Sequence, residues 1–395
     1  MLAGGGPSLG DRMNVAALRA ASTEERAEWL GAAVEHLLRR SAEACEALSK
    51  STGLSEAMVA WGARTTLETM RPESLRALAE EARAAGGEPI SALSIVLAGN
   101  LFTAAARAVL VPLLLGIPVT VKASSRETLF PRLLQEALRR VDPELGEAIE
   151  IVVFAGGDVE RETSLIEGAE RTAVYGSDRT IDAMQQRHPN ANLIAHGHGV
   201  SAAYCGPEAL REGQVEETIE QLALDVCAYD QRGCLSPQII YAAADSEPAL
   251  FTFVERLASE GLAALEKELP RGPLPVDVGA AQAQWRGLAE VEGSLVVGNT
   301  YGIAVRPPQP VRWSPGYRNV TLAPVRDRAE AVRAMEAFGT SLKCVGADPI
   351  SSASLGVELD RNEALSAYLC PLGTMQTPPL DALADGKPVW QGLLR

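Results

Sequence analysis

Cys234 lies in Tyr229-Asp230-Gln231-Arg232-Gly233-Cys234-Leu235-Ser236-Pro237-Gln238, a polar, glycine-bearing approach to a thiol. A Ser-Pro turn and the apolar run Ile239–Ala242 follow it. A cysteine used for packing sits inside an apolar run, whereas one at a loop-to-strand junction is placed to attack a carbonyl with backbone N–H groups nearby. Three further groups of residues could serve that chemistry. Asn100 closes Leu97-Ala98-Gly99-Asn100 and could cap the next helix, the default for its residue type, or donate to an oxyanion. Lys122-Ala123-Ser124-Ser125-Arg126 and Gly176-Ser177-Asp178 each follow a strand-like run, where a cation, hydroxyls and backbone N–H groups can meet phosphates. A capped turn accounts for Gly176-Ser177-Asp178 equally well.

His196-Gly197-His198-Gly199 holds two of the four histidines in the chain, directly after a strand-like run. Proton transfer is their functional reading and a structural histidine the default. His196 and His198 with Cys205 or Cys227 follow no metal-ligand spacing, so no metal is expected. Cys344 and Cys370 read as packing thiols.

These residues need a scaffold. From Ile90 the chain alternates short apolar runs with helical ones: Ile90–Ala98, Ile117–Lys122, Ile149–Phe154, Thr172–Tyr175 and Leu193–Ala195 as strands, separated by amphipathic segments. That alternation predicts an α/β fold with a doubly wound parallel sheet that binds nucleotide at the carboxyl ends of its strands, plus a second α/β domain carrying the thiol. The expected organisation is a helical lead-in over 1–85 packed on the cofactor domain, a nucleotide-binding domain over 86–206 and a catalytic cysteine domain over 207–349. A C-terminal docking or oligomerisation tail over 350–395 completes it. Pro248–Glu268 reads as one amphipathic helix and Leu295–Val305 as one strand.

Composition narrows the class. A net charge of −15 without a Lys/Arg-rich run argues against nucleic acid as a partner. The most apolar stretch, Pro89–Val121, is broken by Asn100, Arg107, Pro112 and Pro118, so no membrane span is expected. Six cysteines without C-x-x-C pairs, behind a start at Met1–Asp11 with no secretory pattern, predict reduced thiols and a cytoplasmic protein.

Taken in order, Asn100, Lys122, Gly176-Ser177, His196-Gly197 and Cys234 resemble the aldehyde dehydrogenase superfamily. The likeness is greatest to its LuxC-type acyl-CoA reductase (fatty acid reductase) branch, through Ala98-Gly99-Asn100, Val121-Lys122-Ala123-Ser124, Gly233-Cys234-Leu235-Ser236-Pro237-Gln238 and Cys370-Pro371-Leu372-Gly373. The resemblance covers roughly residues 85–395. It implies Cys234 as nucleophile and Asn100 with the Cys234 N–H as oxyanion hole. It also implies Lys122 and Ser124 at the adenosine ribose, Gly176 and Ser177 at the pyrophosphate, and a homo-oligomer.

Two departures matter. Where the superfamily commonly has Lys-Pro-Ser-Glu, this chain has Ser125 followed by Arg126, which removes a charge that would repel a 2′-phosphate and favours NADPH (NADP) over NADH. Where it has the general base of Glu-Leu-Gly-Gly, this chain has His196-Gly197-His198-Gly199, which disfavours hydrolysis to free acid. The expected reaction is NADPH-dependent reduction of an acyl-CoA or carrier-bound acyl thioester to an aldehyde through a cysteine acyl-enzyme. The alternatives are an NAD(P)-dependent aldehyde dehydrogenase and a catalytically silent assembly subunit.

Overall fold

Ser22 opens the first long helix, Thr23–Glu43, with a reciprocal cap: its hydroxyl accepts from Glu25 N at 3.2 Å while its own N–H donates to the Glu25 carboxylate at 2.7 Å. The buried residues Ala27, Leu30, Val34 and Leu37 recur at helical spacing, so this helix buries one stripe. Together with the helices Glu56–Glu68 and Pro72–Ala85 it shares one core with the first sheet. A computed structural model describes residues 15–395. Met1–Asp11, read above for a secretory signal, lies outside the described residues.

The first sheet has five parallel strands: β1 (Leu93–Val96), β2 (Val119–Lys122), β3 (Ile149–Val152), β4 (Arg171–Tyr175) and β5 (Leu193–His196), in the order β3-β2-β1-β4-β5. β1 is central and all four of its residues are buried; its one polar side chain, Ser94, is satisfied by donating to Leu165 O at 2.6 Å. The order reverses between β1 and β4, so the crevice at their carboxyl ends lies at the topological switch point. The register places Lys122 beside Val96, and His196 beside Tyr175, on that edge.

The second sheet comprises β6 (Val200–Cys205), β7 (Pro237–Ala242), β8 (Ser294–Val297), β9 (Gly302–Val305), β10 (Asn319–Pro324), β11 (Leu342–Ala347) and β12 (Tyr368–Pro371). Its order is β12-β11-β6-β7-β10-β9-β8, parallel except for the β8–β9 pair. The crossover between the sheets runs through Gly197–Gly199, one residue after β5 ends, and β6 already belongs to the second sheet.

Two local expectations change and one helix is added. Leu295–Val305 is a hairpin, because the polar turn Gly298-Asn299-Thr300 interrupts it. The segment Pro248–Glu268 is helical throughout but carries a π-helical stretch at Leu257–Leu262. The chain after Pro275, to which the sequence reading assigns no element, forms the helix Val276–Glu292. The tail contains a helix (Ser352–Asp360) and β12, and its end returns to the first sheet: Ile90 N donates to Leu393 O at 3.0 Å and Arg395 pairs with Glu170. Among the described residues no helix is long and apolar enough to cross a membrane.

Candidate active site

The loop bearing Cys234 is held in an unfavourable backbone state. Tyr229, Asp230 and Gln231 have φ of 52°, 54° and 58°, three successive non-glycine residues in the left-handed region, at a cost of order 1–3 kcal/mol each. Buried contacts maintain them. The Tyr229 hydroxyl donates to Gly62 O at 3.1 Å and lies 2.9 and 3.1 Å from the hydroxyls of Thr66 and Thr103. Asp230 accepts from Arg318 at 2.7 Å and from Gly272 N at 3.0 Å, and Arg318, fully buried, also pairs with Glu266. The Gln231 amide donates to Pro237 O at 2.8 Å. Residues of the helix Glu56–Glu68, Thr103 after β1, Gly272 and Arg318 just before β10 therefore fix the turn from which the thiol emerges.

Cys234 is open to solvent within a cleft, whereas Cys205, Cys227, Cys344 and Cys370 are buried. Its carbonyl accepts from Ser201 Oγ at 2.8 Å, tying it to β6. Gly199 lies against it, since a Cβ there would overlap Lys343 Cγ and come 3.1 Å from Cys234 Cβ. The protein ringing the sulfur pushes the thiol pKa up, and Asp385 adds to this. Lys343 and the N–H groups of Cys234 and Leu235 act the other way.

Asn100 does not cap its helix. The helix Ala104–Leu114 starts behind Thr103 without a side-chain cap, and Asn100 Nδ2 instead donates to Arg232 O at 3.1 Å, across 132 residues. An amide nitrogen has two hydrogens, so the second is left for another acceptor beside the thiol loop. The cap reading favoured by residue type gives way to a tertiary contact.

On the opposite rim, Lys122 Nζ lies 5.5 Å from the Phe154 ring centroid, and burial lowers its pKa against the pull of Glu162. Ser124 and Arg126 share a recess of about 480 Å³ with Gly99, Asn100, Arg232 and Tyr317. Gly99 is required there, because a Cβ would overlap Ser124 Oγ. Ser125 and Arg126 are exposed, while the next residue, Glu127, turns inward and accepts from Leu129 N and Phe130 N at 2.8 Å each. That carboxylate is spent as a helix cap. Ser177 caps Asp178–Arg187 by accepting from Thr180 N at 3.3 Å, and Asp178 accepts from His198 N at 2.8 Å. Gly176 and Ser177 line the main cleft.

A model of the acyl-CoA reductase (LuxC) family matches residues 37–386. The chain belongs to that family. It is accordingly an oxidoreductase of acyl and aldehyde groups. Among curated proteins nothing matches this LuxC-family chain. Solved structures show its fold to be that of aldehyde dehydrogenases. Aldehyde dehydrogenase 21 from Physcomitrella patens, in complex with succinate, has a TM-score of 0.75 at 18% identity over 98% of this chain and 88% of that one. The NADP complex of NADP-dependent glyceraldehyde-3-phosphate dehydrogenase from Bacillus halodurans C-125 has a TM-score of 0.71 at 16% identity, over 98% and 88%. An oxidoreductase from Marinobacter aquaeolei has 0.75 at 14%, over 95% and 84%.

In this LuxC-family chain Cys234, Asn100, Gly176, Ser177, His196 and His198 line a single cavity of about 950 Å³. Lys122, Ser124, Ser125 and Arg126 are not part of its wall; Ser124 and Arg126 border the adjoining recess. Three residues in the cavity wall escaped the sequence reading. Lys343 on β11 and Asp385 in the tail form an ion pair, and Asp385 Oδ2 lies 3.1 Å from His196 Nδ1. Arg107 spends its guanidinium on Pro379 O. Only Lys343 left a trace, as a charge inside the apolar run Leu342–Ala347. Among the described residues no group of three or more His, Cys, Asp or Glu is arranged to hold a metal.

Proposed function

We propose that the protein reduces an acyl thioester to an aldehyde with NADPH, through an acyl group carried on Cys234. The observation that carries this reading is the Asn100 amide bonded to the very loop that presents an open thiol, at the carboxyl ends of the first sheet. The Cys234 thiolate attacks the thioester carbon, and the second Asn100 N–H and the Cys234 N–H face the oxygen as it gains charge. The C–S bond to the donor breaks and leaves the acyl group on Cys234. Bound in the cleft, NADPH would supply a hydride to this acyl carbon, and collapse of the Cys234 thiohemiacetal would free the aldehyde and the thiolate.

Several features fit the cofactor. Gly99 leaves room beside Ser124, Lys122 is a half-buried cation on the strand edge, and Arg126 is exposed with no carboxylate at Ser125 or Glu127 turned toward it. Lys122, Ser124 and Arg126 would hold the adenosine ribose and a 2′-phosphate, with Gly176 and Ser177 near the pyrophosphate. The His196–Gly199 turn has no carboxylate at the place of the usual glutamate base.

The cavity also accommodates an aliphatic chain. One face of the helix Ala104–Leu114, made of Ala104, Ala108 and Val111, lines it opposite Leu93 and Ala173. Leu93 at the start of β1 and Leu97 just after its end are both in the cavity wall. The overall charge of −15 favours CoA over an acidic carrier protein as donor.

A second reading, a silent assembly subunit, draws on Asp178, whose carboxylate stands in the first turn of the helix where a pyrophosphate would approach. A panel of acyl-CoAs with NADPH, read by mass spectrometry of the product, separates the possibilities. Aldehyde is expected; no turnover and no NADPH binding would favour the scaffold, and free acid formed from supplied aldehyde and NADP would favour a dehydrogenase.

A further inference from the structure

We infer that Asp385, reaching back from the C-terminal tail, is a positioning residue that orients His196 as the proton-transfer group of this site, with Lys343 gripping its other carboxylate oxygen. The inference rests on the thioester-reductase reading and assigns it an acid–base device. The three residues come from β5, β11 and the tail, 189 positions apart between His196 and Asp385. Asp385 sits at φ 55°, a conformation that costs a non-glycine residue of order 1–3 kcal/mol, and there both its oxygens are occupied. Burial alone would raise its pKa, but the hydrogen bonds from His196 and Lys343 outweigh that and hold it at about 2. The imidazole is fixed from the side as well, stacked on Tyr175 with centroids 4.4 Å apart and planes 13° from parallel.

A carboxylate on Nδ1 selects the tautomer that keeps its proton there and leaves Nε2 bare, which is how an aspartate prepares a histidine to take a proton from a nucleophile. His196 and Cys234 line the same cavity, and Lys343 lies across Gly199 from Cys234. The raised thiol needs a base before it can attack. The proton balance closes. His196 takes the Cys234 proton as the sulfur–carbon bond forms and passes it to the departing thiolate. When the aldehyde leaves, the freed Cys234 thiolate regains one proton from water by the same route, so one proton is consumed per turnover. Asp385 stays ionised and stabilises the transient imidazolium.

The test uses the full chain with a C10 acyl-CoA and NADPH, comparing Asp385→Asn, His196→Gln, Lys343→Met and the Asp385→Asn/His196→Gln double variant. Asp385→Asn should lower kcat about 10²-fold with little change in KM, the size of a lost general acid–base contribution. The double variant should be no worse than His196→Gln alone, because the two act as one unit, and Asp385→Glu should recover part of the rate. Multiplying effects, or an Asp385→Asn enzyme as fast as wild type, would overturn the inference. Should Asp385→Asn fail to fold, Lys343→Met carries the same comparison with His196→Gln. Wild-type enzyme that makes no aldehyde would instead sink the reductase reading, so the two failures are distinguishable.

Discussion

The two rims of the cleft are built on different principles. The rim formed by β2 and β4 consists of strand ends and short turns that are braced mostly nearby: Glu127 caps the helix that follows it, Ser177 accepts from Thr180 three residues on and Asp178 from His198 twenty residues on. The thiol rim is assembled at long range. Tyr229 is anchored on Gly62, Thr66 and Thr103, Asp230 on Arg318, and Asn100 on Arg232. A rim of local turns can vary in sequence with little consequence beyond its ligand, whereas the thiol rim couples catalysis to the stability of the molecule.

Substitutions can break or sharpen that contrast. Arg318→Met should have the largest effect, because it leaves Asp230 as an uncompensated buried charge. A loss of about 3–5 kcal/mol in denaturant-measured stability is expected, with activity falling in step. If stability is unchanged, the strained turn is not held by this pair. Asn100→Ala should lower kcat by about 10²–10³, equivalent to ~2.7–4 kcal/mol, while the melting temperature stays close to wild type. An equal fall in stability would mean that the bond to Arg232 O is the amide's main role.

Ala108→Trp puts a large ring into the apolar arm of the cavity, and about a tenfold loss of kcat/KM for long acyl-CoAs is expected, with acetyl-CoA spared. An unchanged chain-length profile would place the acyl group elsewhere. Arg126→Ala belongs to the locally built rim and should be the mildest: a several-fold rise in KM for NADPH, no change for NADH and no loss of stability. A comparable effect on both cofactors would remove the 2′-phosphate from its neighbourhood.

The same contrast explains what could be read from the residues. β1, β2 and β4 were legible because buried parallel strands are mostly apolar and β-branched, and the loops after them followed from the fold. Asn100 was legible as a residue but not as a contact, since capping is a local preference and its bond to Arg232 O is tertiary. The helix Val276–Glu292 was missed because it buries little: its one stripe is short and part polar, made of Gln282, Trp285 and Ala289. Lys343 and Asp385 could not be paired by spacing, for nothing within either neighbourhood marks the other. Their meeting depends on the tail folding back over β5, where Gly392 packs against Ile194.

The central claim is that the sulfur of Cys234 carries the acyl group. Incubating the full chain with decanoyl-CoA in the absence of reductant, followed by intact-mass and peptide mass spectrometry, addresses it directly. The expected result is one decanoyl adduct on the peptide containing Cys234, discharged as decanal when NADPH is added and absent from Cys234→Ala. An unmodified Cys234 peptide in a preparation that nonetheless makes aldehyde would contradict the account.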